Sequence, residues 1–394
     1  MRTANLLFLL SLVVTAAAAD GPDKPPKDDK PPKGNNAPGR NKPRPEPPAA
    51  GAPSQPPETA PVTPPVTAPA LAPASAPAPT PASAPAPAPP IYKTNYSGLS
   101  VDYYTNICPN LESLVRGAVS AMMASSPIAA SATLRLFFHD CFVTGCDASI
   151  MISNPNGGDE RSSPDNQSLK PEGFTMITKA KAAVDADPQC TNKVSCADIM
   201  ALATRDAVVL SGGPTWKVEL GRYDALVSRA SDVDLPLATE DVPALMKRFS
   251  AQGFNVTDLV ALSGGHTIGA TSCFFINSRL YPTVDAYLDP GFASQLEGTC
   301  PSAMNPNNFV FFDQTVTTFD NNYFWMLQQK KGVLFSDSAL YFEQDSMTIV
   351  DSFVTDQNAF FTAFVESMLK LGRLGVKTAA TGEIRVNCTS PNGV

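Results

Sequence analysis

From about residue 95 to the C-terminus, apolar residues recur with the period of a helix. Over 109–126 they fall at Leu111, Leu114, Val115, Ala118, Val119 and Met122. That is the i, i+3, i+4 stripe of an amphipathic helix. Ser195-Cys196-Ala197-Asp198 reads as a capping-box start before an apolar helical run, and Gly212-Gly213 stops it. The same period predicts helices over 242–252, 257–263, 320–331, 345–354 and 359–371. Strand-like alternation is scarce; WKVELG at 216–221 is the best candidate. The pattern predicts a mainly α domain over 95–394 with very little β, large enough to divide into two lobes.

The first quarter of the chain is different material. Arg2, an apolar run over 6–14 and Ala17-Ala18-Ala19 predict a signal peptide over 1–19. That run is too short to span a bilayer, and no later apolar stretch is long enough, so no membrane span is expected. Residues 20–92 read as a disordered Pro/Ala-rich linker. Up to Pro90 they hold 25 of the 39 prolines and no Phe, Tyr or Trp, so they cannot bury a core. Such sequence favours an extended polyproline II spacer. Its Ala-Pro and Ser-Pro runs resemble plant arabinogalactan-type segments that carry O-linked sugar. That likeness implies contact with cell-wall polysaccharide or glycoprotein.

Composition narrows the setting. The formal net charge of −8 argues against a nucleic-acid partner. All eight cysteines lie after residue 107. In a chain expected outside the cell, secreted or in the wall, they predict four disulfides.

The candidate chemistry concentrates in LRLFFHDCFVTGCDAS at 134–149, which holds one of only two histidines. Arg135 and His139, four apart on a helix, share a face. A guanidinium beside an imidazole disfavours its cation, leaving His139 a neutral base. Such a base accepts a proton from a bound hydroperoxide while Arg135 steadies the negative charge on the leaving oxygen. Asp140, Asp147 and Ser149 add hard oxygen ligands around a short Cys141/Cys146 loop. The second histidine, His266, follows Gly264-Gly265 at a helix end. Two glycines there suggest close approach to something bulky and flat. One histidine on each wall suits a haem, with His266 as iron ligand and Asp337 as the anion receiving its other ring N–H. Two histidines and a carboxylate also permit a non-haem iron or zinc site. However, adjacent His139 and Asp140 chelate poorly, and Arg135 repels a metal.

Residues 134–149 and 260–273, with VSCADI at 194–199, GGPTW at 212–216 and IRVNC at 384–388, resemble the secretory plant (class III) haem peroxidases. The resemblance runs from about 99 to 388. It implies a two-lobed fold with haem b between a distal and a proximal helical lobe. The implied activity is reduction of hydrogen peroxide and one-electron oxidation of small phenolic donors, through ferryl intermediates, at the haem edge. Arg135 and His139 would be the distal pair, Phe138 would shield the haem edge, and Asn166 would accept the Nδ1 hydrogen of His139. His266 would bind the iron and Asp337 would hold it. Pro236 would line the donor site. Two calcium ions are implied. The first would use Asp140, the carbonyls of Val143 and Gly145, Asp147, Ser149 and, through water, Glu160. The second would use Thr267, Asp313, Asp320, a carbonyl near Thr318 and Thr315, unless that place falls to Val316. The Asp313–Asp320 spacing is one residue shorter than the family's usual one. The implied disulfides are Cys108–Cys190, Cys141–Cys146, Cys196–Cys388 and Cys273–Cys300. Sequons at Asn95, Asn255 and Asn387 are candidate glycosylation sites. A monomer is expected. The remaining reading, a wall glycoprotein with an inactive domain, sits poorly with so complete a residue set.

Overall fold

The computed structural model describes residues 98–303, 305 and 308–393. The signal peptide, the linker and the Asn95 sequon predicted above lie outside the described residues. The described chain is mainly α. Its helices are α1 (Leu111–Ser125), α2 (Ala129–Cys141), α3 (Pro171–Asp185), α4 (Cys196–Leu210), α5 (Val242–Ala251) and α6 (Val256–Ser263). Then follow α7 (Asn277–Leu280), α8 (Pro290–Thr299), α9 (Asn322–Gln328), α10 (Phe335–Ala339), α11 (Gln344–Thr355) and α12 (Gln357–Leu371). The strands β1 (Ala270–Ser272) and β2 (Phe309–Phe311) pair antiparallel, with Thr271 opposite Val310.

The predicted stripe of α1 is its buried face: Leu111, Val115, Val119 and Met122 turn inward. Helices α1, α2, α3 and α4 pack on one another, and α4 is buried along almost its whole length. Ser195 caps its first turn, the hydroxyl accepting the Asp198 N–H at 3.1 Å, but the expected capping box is only half made: the Asp198 carboxylate turns to Tyr104, Gly221 and Arg222 instead of the Ser195 N–H. Helices α6, α9, α11 and α12 form a second group around Phe319, Phe324, Phe353, Phe360 and Phe364. One continuous core runs through both groups. A smaller one lies around the Cys273–Cys300 bridge. Among the described residues, no helix is long and apolar enough to cross a membrane.

The four disulfides form in the pairing that the resemblance implied. The helices predicted over 242–252, 257–263, 345–354 and 359–371 agree with α5, α6, α11 and α12 to within two residues at each end. Two expectations need correction. The helix predicted over 320–331 is only Asn322–Gln328, because Asp320 turns its carboxylate onto the Asn322 N–H and Lys330 takes a positive φ of 58°. The segment 216–221 is extended but is not a strand of a sheet. Trp216, Val218 and Leu220 are buried in alternation, yet only an isolated bridge joins Leu220 to Ser100. Arg205 takes the Trp216 carbonyl and Arg373 takes the Glu219 carboxylate. Alternating burial reports an extended chain; it does not report a neighbouring strand.

Candidate active site

Helix α2 carries Arg135 and His139 on one face. The His139 ring is buried, and its Nδ1 meets Asn166 Oδ1 at 2.7 Å. The Asn166 amide cannot be turned round, because its Nδ2 donates to the Glu160 carbonyl at 2.8 Å. Oδ1 therefore faces the imidazole, Nδ1 carries the hydrogen, and Nε2 keeps its lone pair. Burial first and the Arg135 charge second hold the imidazole down to about 3. Arg135 donates from Nη2 to Ser168 Oγ at 2.9 Å, and loss of solvent around its guanidinium lowers it to about 10. Phe138 stands edge-on to His139 at 6.3 Å and stacks on Phe142 at 4.8 Å. Pro236 lies half-buried in the segment before α5.

The loop after α2 is closed by the Cys141–Cys146 bridge. The Asp140 carboxylate accepts the N–H groups of Ala148 (2.9 Å) and Ile150 (3.3 Å), and Asp147 accepts that of Ser149 at 3.0 Å. Asp140, Asp147, Ser149 and Glu160 are all buried. Burial, then the Asp147 and Glu160 charges, push the Asp140 carboxyl well up; burial pushes Glu160 up to about 8. Glu160 Oε2 has no hydrogen-bond donor on it. Buried carboxylates that repel one another, with an oxygen unsatisfied, are a donor set that fits a hard cation. Among the described residues, no three His, Cys, Asp or Glu side chains suffice to hold one by themselves, so hydroxyl and carbonyl oxygens must complete it. Gly145 sits back to back with Gly375. Its φ is +111°, and a Cβ on it would overlap the Gly375 backbone. The Cys146 N–H donates to the Leu374 carbonyl at 3.0 Å, and Lys377 Nζ lies 3.3 Å from Asp147 Oδ2.

His266 lies in the single 3-10 turn Gly264–Thr267 that follows α6 and packs on α2. Its Nδ1 donates to Asp337 Oδ1 at 2.9 Å, which leaves Nε2 for a metal. Phe312 stacks flat on the ring at 4.3 Å between centroids. Here one expectation changes. The space at Gly264 is taken by the protein's own rings, since a Cβ would come within 2.5 Å of Phe360 and 2.7 Å of Phe324. At Gly265 it would meet Leu134 of α2 at 3.2 Å. The two glycines let the His266 turn pack on aromatic rings and on α2. The set that fits haem is His266, whose Nε2 is left over by the Asp337 bond, together with a base on α2 held uncharged beside a guanidinium.

Beside His266, Thr267 donates to Asp313 (2.7 Å) and Asp320 (3.2 Å). Thr315 bonds both carboxylates at 3.1 Å. Thr315, rather than Val316, therefore turns its hydroxyl into this cluster despite the shortened spacing. Thr318 donates its N–H to the Thr315 carbonyl at 2.7 Å. Two carboxylates flanked by two hydroxyls again fit a hard cation.

Three participants escaped the sequence reading: Ser168 on Arg135, Lys377 on Asp147, and Tyr323, whose hydroxyl donates to Asp337 Oδ1 at 2.9 Å. Ser168 lies two residues after Asn166 and offered the one faint signal. All three are separated in sequence from what they touch: Ser168 by 33 residues from Arg135, Tyr323 by 14 from Asp337, and Lys377 by far more from Asp147.

Residues 115–356 match the model of the family described as Peroxidase. Peroxidase 45 of Arabidopsis thaliana is 47% identical over 302 residues, covering 75% of this chain and 92% of the relative. Peroxidase 16 of the same plant is 44% identical over 305 residues, with 75% and 94% covered. Peroxidase 73 is 44% identical over 308, with 76% and 94% covered.

Proposed function

The chain belongs to the peroxidase family, in its secretory plant class, and is a haem peroxidase that uses hydrogen peroxide; from that premise we propose which residues do the work and on what donor. The carrying observation is the Glu160 carbonyl–Asn166–His139 chain beside Arg135. It gives a buried base one tautomer and keeps it uncharged.

His139 Nε2 takes a proton from hydrogen peroxide and delivers it to the departing oxygen, which leaves as water. The Arg135 guanidinium steadies the negative charge that builds on that oxygen. Asn166 keeps the ring turned so that the same nitrogen serves both transfers. His266 would hold the haem iron through Nε2, while Asp337 fixes its tautomer and would make the imidazole a stronger ligand. Bound haem supplies the redox centre for peroxide reduction and donor oxidation. Donors are small phenols that react at the haem edge, beside Pro236. Phe138, packed on Phe142, keeps them from the distal pocket.

Two sets of residues would hold calcium. The first takes Asp140, Val143, Gly145, Asp147 and Ser149, with Glu160 behind. The second takes Thr267, Asp313, Thr315, Thr318 and Asp320. The protein is secreted, carries sugar at exposed Asn255 and Asn387, and reaches wall polymers through residues 20–92.

An absorption spectrum of the secreted protein with and without peroxide tests the reading. A Soret band that shifts on adding peroxide is expected, and His139→Leu should slow the shift by about 10²–10⁴-fold. Unchanged kinetics in His139→Leu would remove His139 from the reaction.

A further inference from the structure

We propose that Tyr323 is a positioning residue for His266: its buried hydroxyl shares an Asp337 oxygen with that imidazole and so sets how strongly Asp337 draws on the His266 proton. The inference rests on His266 being the iron ligand. Asp337 is 1% exposed, and Oδ2 is committed to the Leu334 N–H at 2.8 Å. Oδ1 is shared. It accepts His266 Nδ1–H at 2.9 Å and Tyr323 O–H at 2.9 Å. Tyr323 is also 1% exposed, and among the described residues its hydroxyl makes this bond alone. Its ring stands edge-on to His266 at 5.9 Å, while Phe312 covers the flat face. Buried Arg279 adds positive charge near Asp337, but it is fixed by the carbonyls of Gly332, Val333 and Leu334. The phenol is therefore the partner whose loss changes the load on Oδ1 without unseating a charge.

The direction follows from competition for one oxygen. Negative charge that the phenol draws toward itself is withdrawn from the His266 hydrogen bond. With the phenol present, His266 has less imidazolate character and donates less strongly to iron. Without it, Asp337 pulls harder on Nδ1–H, and the imidazole favours the ferric over the ferrous state.

Tyr323→Phe keeps the ring and removes only the oxygen. In the haem-loaded protein it should shift the ferric/ferrous equilibrium about tenfold toward ferric, a fall of about 59 mV in midpoint potential for one electron. The iron–histidine stretch of the ferrous protein, read by resonance Raman, should rise in frequency. The same substitution on an Asp337→Asn background should move neither, because the route through the carboxylate is gone. Should Tyr323→Phe fail to retain haem, difluorotyrosine at 323, a stronger donor, should move the potential upward instead. An unchanged or raised potential in Tyr323→Phe, or an equal shift on the Asp337→Asn background, would overturn the proposal. Absence of an iron–histidine stretch from the unmodified protein would overturn His266 as ligand, which is a different failure.

Discussion

His139 owes its orientation to one amide and its neutrality to burial beside one guanidinium. Its value of about 3 lies below the ordinary imidazole value, so the folded protein leaves it uncharged where the unfolded chain takes up a proton. Between the ordinary value and about 3, falling pH therefore draws protons to the unfolded state, and this residue's contribution to stability is lost progressively. For the reaction, the base stays available through the same window. The rate of peroxide consumption, followed by stopped flow, should hold until close to pH 3; an acid limb centred near the ordinary imidazole value would contradict this. Arg135→Leu should slow the reaction about 10²–10³-fold by removing a charge that faces the leaving oxygen. It should also move the acid limb upward, because the repulsion that lowers His139 is gone. At this scale the sequence was legible where rare residue types sit at fixed spacing, as with Arg135, His139, Asp140 and Asp147. Ser168, Tyr323 and Lys377 were not legible, because the partner of a hydroxyl or an ammonium is chosen by tertiary approach.

The loop over 141–149 depends on material far along the chain. It touches Leu374, Gly375 and Lys377, and behind it the Glu160 carbonyl holds the amide that orients His139. Asp147→Ala should therefore weaken calcium retention and slow the peroxide reaction, although Asp147 touches no substrate. Calcium release on titration with a chelator and stopped-flow rates check both; a normal rate in calcium-depleted protein would break the link. Gly145→Ala should destabilise the fold by at least about 2 kcal/mol, measured by denaturant unfolding, because a side chain there meets strained φ and the Gly375 backbone together. Elements with long helical stripes were readable, since burial of one face repeats every turn. The 216–221 segment misled because alternation fixes which side chains point inward and leaves the neighbour open. Three-residue strands such as β1 and β2 are too short to show a period at all.

Across the whole molecule the mainly α class was readable from the helical period, and the disulfide pairing came from resemblance. Periodicity could not supply the pairing, because it contains no long-range distances. Cys196–Cys388 spans a sequence separation of 192 and ties the C-terminal segment to the first turn of α4. Replacing Cys388 by Ser should lower stability by about 2–5 kcal/mol, read as a lower thermal midpoint under non-reducing conditions. The glycine pair Gly145–Gly375 has a further consequence in biosynthesis. The loop that would seat the first ion is synthesised well before the backbone against which it packs, since Gly145 precedes Gly375 in the chain. Packing of the loop must therefore wait until Gly375 has left the ribosome, although the Cys141–Cys146 bridge can close the loop before then. A nascent chain ending before Gly375 should exchange labelled calcium freely, whereas a chain that extends through the Gly375 segment should hold it.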